Sequence, residues 1–222
     1  MVSLDKEHSD EVRVSENIIV NGSKKTIRLN KQTYIAEDII AINFARVLEE
    51  FNLKYVIVAG YIAILFGRSR RSDDIDFIVE KISEDTFVKL CKVSKLIGFS
   101  LIQGDISSED SIRNIYKRYL AEGHAIRFIY EDIFLPNIEL KMISSPLHDY
   151  AIKHAYIVIL NDKDRIKIAP LELQIAYKLY LGSAKDVGDA VFLYNLFKPI
   201  IKENELEKWC MELEVDSHML RK

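Results

Sequence analysis

Residues 55–80 read YVIVAGYIAILFGRSRRSDDIDFIVE. Tyr55–Ala59 is a continuous β-rich apolar run, the pattern of a buried strand. Gly60 breaks it, Tyr61–Phe66 reads as a short helix, and Gly67–Ser72 is a loop carrying Arg68, Arg70 and Arg71. A second strand follows at Ile75–Val79. Asp74 and Asp76 stand two apart at its start. Period-two geometry sends both carboxylates to one face and Ile75 and Phe77 to the other. Two carboxylates on one edge repel unless a cation joins them, and a hard divalent ion such as Mg²⁺ suits oxygen ligands. Gly60 sits at a strand-to-helix turn, where free backbone N–H groups favour a phosphate. An anion cradle, an Arg-rich loop and an acidic pair together are what phosphoryl or nucleotidyl transfer requires. Each feature alone is weak, since Asp-rich turns before strands are usually just solvated. Their joint spacing carries the reading.

Outward from this stretch the chain alternates between strand and helix patterns. Residues 17–29 read as a hairpin turning at Asn21-Gly22. Residues 36–52 place Ile39, Ile40, Phe44, Val47 and Leu48 at helical spacing. Helices are expected at 83–97 and 107–121, the second capped by Ser107 with Asp110 three residues on. Strands are expected at 125–130 and 138–143, then a helix near 147–154 and a hairpin over 155–168. Residues 170–213 read as three helices, with Pro170 in a first turn and Gly182 as punctuation. The expected fold class is α/β of the α+β kind, a mixed sheet with helices and then a helical C-terminal part. Three regions follow: a tail and hairpin at 1–35, an α/β core at 36–168 and a helical region at 169–222 packed on the core.

Composition narrows the function classes. The 222 residues are 49% hydrophobic and 29% charged, which suits a packed protein and excludes wholesale disorder. With 31 basic and 34 acidic residues the net charge is −3, so nucleic acid has no global basic field to bind. The two cysteines, Cys91 and Cys210, lack zinc or CxxC spacing and fit a reduced, cytoplasmic setting. The polar start MVSLDKEHSDEVRVSE is not a signal-peptide pattern, and residues 1–15 read as charged and loose. No apolar run approaches the roughly 20 residues of a membrane helix, so no membrane partner is expected. The 31 Ile against 3 Gln, with abundant Lys and Glu, is a thermophile-like bias.

The 55–80 stretch resembles the nucleotidyltransferase superfamily, whose pattern is a strand, Gly-Gly or Gly-Ser, a short helix and a strand bearing Asp-x-Asp. It is most similar to the AbiEii-type branch, whose members read like vGGxAxxxhGxxRxTxDIDh. Ala59 and Gly60 fall on the glycine pair, Ala63 on the alanine and Gly67 on the later glycine. Arg70 matches the loop arginine, Ser72 the threonine, and Asp74 and Asp76 the metal-binding aspartates. The departure is Ala59 for the first glycine, followed by bulky Tyr61. The resemblance implies a nucleotidyltransferase-like mixed sheet flanked by helices. It also implies nucleotide contacts at Gly60, Arg70 and Ser72.

Members of this superfamily commonly add a third acid from a neighbouring strand. Glu139, in Asn137-Ile-Glu-Leu-Lys-Met142, is the best match, flanked by apolar residues facing the other way. On that reading Asp74, Asp76 and Glu139 hold Mg²⁺. The alternative is a Glu139–Lys141 pair on a solvated strand face. Glu131 and Asp132 are rivals placed where the preceding strand ends.

A second similarity lies at residues 169–197, where AbiEii-type proteins carry a helical Lys and then Lys/Arg-Asp-x-x-Asp. Lys178, Lys185, Asp186 and Asp189 fall on that pattern. The resemblance implies that these residues face the active cleft, where Lys178 contacts the triphosphate and Asp186 orients it. Lys178 itself reads as an exposed helix lysine. Against this, Ser183 and Asp186 match a capping box, and Lys185 and Asp189 match an i,i+4 surface pair.

Five histidines are scattered without metal-ligand spacing. Arg113, Lys117 and Arg118 form a basic stripe open to an RNA phosphate or to solvent. Two function classes stand. The first is an enzyme transferring a nucleoside monophosphate from NTP to an RNA or protein hydroxyl, with Mg²⁺. The resemblance extends it to a toxin with an antitoxin partner. The second is a non-catalytic nucleotide- or partner-binding module on the same fold.

Overall fold

The computed structural model describes residues 10–221. The expectation of a loose, charged start falls on residues 1–9, outside the described residues. In chain order the elements begin with β1 (Glu11–Ser15), β2 (Ile18–Asn21), β3 (Thr26–Leu29) and α1 (Ala36–Glu50). Then come β4 (Tyr55–Val58), α2 (Gly60–Leu65), β5 (Asp74–Val79), α3 (Glu84–Leu96), β6 (Phe99–Leu101) and α4 (Glu109–Ile115). They continue with β7 (Ile126–Tyr130), β8 (Ile133–Met142), α5 (Pro146–Lys153), β9 (Tyr156–Leu160) and β10 (Asp164–Ile168). The chain closes with α6 (Leu171–Leu181), α7 (Ala184–Phe197), α8 (Glu203–Glu212) and a 3₁₀ turn, Ser217–Arg221. The class is mixed α/β, as the alternating patterns imply.

The chain divides into two compact units, residues 34–154 and residues 1–33 with 155–222. In the central unit the strand order is β4-β5-β8-β7-β6, all antiparallel neighbours except the parallel β5–β8 pair. Ile75 and Phe77 turn to the core, while Asp74 and Asp76 on alternate positions are half-buried. Phe44 of α1 meets the rings of Phe77, Phe99 and Phe128 at 5.2, 5.4 and 5.0 Å, which packs α1 onto the sheet. Ile40, Val47 and Leu48 share that buried face. Ile39, expected there, points outward at 43% exposure, because it falls a third of a turn off the Ile40–Phe44–Val47 stripe. The Asp38 carboxylate accepts from the Ile35 N–H at 3.0 Å, satisfying an orphan donor at the helix start.

In the discontinuous unit the order is β1-β2-β3-β9-β10, with β3 and β9 parallel. The hairpins at Asn21-Gly22 and 155–168 form as read. Residues 11–15, read as loose, are a strand instead, because Val12 and Val20 register across the β1–β2 ladder. The three C-terminal helices pack together. The Lys202 N–H donates to Glu172 at 3.0 Å, and the Tyr194 hydroxyl donates to Glu203 at 2.7 Å.

Three other boundaries differ from the reading. Ser108, not Ser107, caps α4, accepting from the Ser111 N–H at 3.3 Å. Ser107 lies in a turn, where its own N–H donates to Asp105 at 2.7 Å. That helix gives way to a π turn at Tyr116–Leu120. β8 starts five residues early, at Ile133, where it pairs with Tyr130 across a two-residue turn. Glu131 and Asp132 form that turn, both at positive φ, and both are exposed.

Candidate functional site

The β4–α2–β5 stretch builds the turn the sequence singled out. Ala59, between β4 and α2, has φ 61° and ψ −134°, a conformation that strains a residue with a Cβ. A glycine would relax there. Gly60 opens α2 and is buried. An added Cβ at Gly60 would lie 2.7 Å from Arg70 Nη2 and 2.9 Å from Ser72 Oγ. Those side chains therefore close directly over the turn. Arg70 Nη2 donates to the Gly60 carbonyl at 3.1 Å and Nη1 to the Arg71 carbonyl at 2.8 Å. Tyr61, which departs from the small residues of similar motifs, is fully buried and donates its hydroxyl to Asp38 at 2.8 Å. Burial, and then the Asp38 charge, hold its phenol well above the usual range. Tyr61 thus ties α2 to the start of α1.

The ladder register arranges the acids. Asp76 of β5 pairs with Val58 on one side and Glu139 on the other, and Glu139 pairs in turn with Arg127 of β7. Paired positions project from the same face. Asp76, Glu139 and Arg127 therefore form one row, with Asp74 and Asn137 in the row beside it. Glu139 is 7% exposed, so it is no solvated-edge residue. Its two oxygens are held by Lys141 Nζ at 2.5 Å and Arg127 Nη2 at 2.8 Å. Burial opposes its charge, but Lys141 and Arg127 prevail and hold its carboxyl below the usual range. Burial, and then the nearby Lys141 ammonium, push His148 of α5 down. Arg127, Asn137 and His148 were not singled out by the sequence. No local signal marks a residue whose neighbour is a strand fixed by register. Among the described residues no three His, Cys, Asp or Glu side chains are grouped to hold a metal.

In the other unit, Lys178 and Asp186 do meet, but not on an exposed helix. The expectation of an exposed Lys178 is corrected. It is 2% exposed, and its ammonium lies 2.6 Å from Asp186 and 3.1 Å from Asp189. Asp186 also accepts from the Ser183 hydroxyl at 2.5 Å, and Ser183 Oγ accepts the Asp186 N–H at 3.3 Å, which makes the capping pair real. Burial opposes the Asp186 charge, while Lys178, Ser183 and Lys185 together hold its carboxyl below the usual range. The α6–α7 turn brings these residues together, with Gly182 in the left-handed conformation that ends α6.

Two of the three cations of the basic stripe are paired with acids. Arg113 bonds Glu84, Asp85 and Glu109 at 3.0, 2.9 and 2.8 Å, and Lys117 lies 3.6 Å from Glu84. Both cysteines are free and buried. Among the described residues no helix is long and apolar enough to cross a membrane.

No protein-family model matches the chain, and no curated protein sequence does. Solved structures do. An antigenic nucleotidyltransferase-like protein from Paracoccidioides brasiliensis is similar at 15% identity and a TM-score of 0.50, over 79% of this chain and 85% of that one. The antibiotic-resistance factor ANT(2'')-Ia is similar at 10% identity and a TM-score of 0.45, over 81% and 93%. The nucleotidyltransferase toxin MenT4 from Mycobacterium tuberculosis is similar at 15% identity and a TM-score of 0.39, over 78% and 61%. The first of these likenesses is one of fold, and it is to a nucleotidyltransferase-like protein.

Proposed function

We propose that this chain is a nucleotidyltransferase, acting with a divalent cation on an NTP and an acceptor hydroxyl. One observation supports this most. The β5–β8 register sets Asp74 and Asp76 on one sheet face with Glu139, in the unit where Arg70 and Ser72 close over Gly60. The donor set fits a hard cation. Asp74 and Asp76 are half-buried carboxylates two residues apart, leaving room for water ligands. They would hold Mg²⁺, which when bound stabilises charge on a transferring phosphoryl group.

The chain's own groups do the rest by positioning. Arg70 is anchored on the Gly60 and Arg71 carbonyls, so its charge is fixed at the turn that would receive the phosphates. The acceptor oxygen forms a bond to the α-phosphorus, the bond to the β-phosphate oxygen breaks, and pyrophosphate leaves. The hydroxyl proton passes to water. Glu139 is a poor base, because Lys141 and Arg127 depress its pKa. Its role would be to anchor those two cations in the row beside Asp76. Lys178, expected with Asp186 at the triphosphate, is instead engaged by Asp186 and Asp189, so the acidic pair and the Gly60 turn of the 34–154 unit carry the proposed chemistry.

The sequence resemblance extends the proposal to an RNA or protein acceptor and to a toxin controlled by an antitoxin. The test is label transfer from α-labelled NTPs to total RNA and total protein, with and without Mg²⁺. Asp76→Asn should abolish transfer while leaving the circular dichroism spectrum unchanged. Full transfer by that variant would refute the mechanism. The strained Ala59 and the Glu139 carboxylate already held by two cations favour a second reading, a nucleotide-binding module without turnover. NTP binding with no transfer to any acceptor would support it.

A further inference from the structure

Asn137 is 6% exposed and stands opposite Asp74 in the parallel β5–β8 ladder, so both side chains leave the same face. Its backbone N–H and its side-chain Nδ2 both donate to the Asp73 carbonyl, each at 3.0 Å. Nδ2 also reaches the Phe134 carbonyl at 3.4 Å. Those carbonyls fix which end of the amide is nitrogen, because a flipped amide would set oxygen against oxygen. Oδ1 is then left buried with no hydrogen-bond partner among the described residues. An orphaned buried acceptor is costly, and a β-branched apolar residue would suit this strand position better. Something beyond the described residues is needed to satisfy it.

We propose that Asn137 Oδ1 is the third oxygen donor of a divalent-cation site built on Asp74 and Asp76. This rests on the reading of the acidic pair as a cation site. An amide oxygen is a hard ligand without charge. Two carboxylates and one amide balance a divalent ion, where a third carboxylate would leave the set net negative. Glu139, the acid in the next row, is held by Lys141 and Arg127. The neutral oxygen beside Asp74 is the donor that no group among the described residues engages.

The test uses Mn²⁺ alone as probe, with free Mn²⁺ followed by electron paramagnetic resonance and melting followed with and without the ion. The proteins are the full wild-type chain, Asp74→Asn, Asn137→Ala and Asn137→Asp. Asn137→Ala should weaken Mn²⁺ binding by about tenfold. Asn137→Asp loses the donor to the Asp73 carbonyl and adds a like charge beside Asp74, so it should melt lower than wild type without metal. It should nevertheless bind Mn²⁺ at least as tightly, with a larger Mn²⁺-induced rise in Tm. Parallel weakening in both Asn137 variants would overturn the inference and leave Asn137 as a clip on Asp73. Loss of binding in Asp74→Asn with none in Asn137→Ala would overturn it while the cation reading stands. Equal Mn²⁺ binding by wild type and Asp74→Asn would overturn both.

Discussion

Lys178→Ala should be among the most damaging single substitutions in this chain. The ammonium it removes lies 2.6 Å from Asp186 and 3.1 Å from Asp189, and the three residues are 2%, 6% and 0% exposed. Taking one partner from a buried ion pair costs about 3–5 kcal/mol, because the remaining charge is left without compensation. Here two carboxylates lose their cation together, so a loss of about 4–5 kcal/mol is expected. At about 2–4 °C per kcal/mol for a chain of this size, Tm should fall by roughly 10–20 °C. The assay is urea unfolding followed by Trp209 fluorescence. Trp209 is the single tryptophan, is 5% exposed and lies in the same unit as the triad. The deficit should shrink on acidification, since a buried carboxylate that has lost its lysine takes up a proton more readily than one beside lysine. Joining Lys178→Met to Asp186→Asn and Asp189→Asn should recover much of the loss, because no buried charge is then left alone. A Lys178→Ala deficit under about 1 kcal/mol, equal at pH 5 and pH 8, would refute the buried triad and return Lys178 to an exposed helix face.

Ala59→Gly should raise stability by about 1 kcal/mol, because relief of the φ 61° strain exceeds the added flexibility of the unfolded chain; an unchanged urea midpoint would count against the strain. Gly60→Ala drives a methyl group against Arg70 and Ser72. It should weaken NTP binding about tenfold in calorimetry, the loss of about one charge-assisted contact. The Glu139 pKa is depressed in the folded state, so its contribution to stability is present above the unfolded value of about 4.5 and is lost as pH falls through the folded value. Glu139→Gln should accordingly flatten the decline of the urea midpoint between pH 5 and pH 3, and a decline as steep as wild type would exclude Glu139 as its source.

The sequence by itself determined the local pieces. Apolar runs broken by glycine wrote β4, α2 and β5, and strand periodicity alone placed Asp74 and Asp76 on one face. The Asn21-Gly22 turn and the three C-terminal helices were legible for the same reason, since turn chemistry and helical spacing act within a few residues. What tertiary structure decided is whatever depends on distant segments. β5 and β8 are some sixty residues apart in the chain, so only their pairing revealed that Asp76 stands beside Glu139 and Asp74 beside Asn137, and the β7–β8 register that Glu139 stands beside Arg127. Ser183–Asp186 announced a cap, yet no spacing rule could tell that Lys178 is drawn into the α6–α7 packing with both aspartates. Burial of a charge is a property of the surfaces that close around it. The sequence therefore named the chemistry of Asp74 and Asp76, and the register of the sheet chose the neighbours with which that chemistry must work.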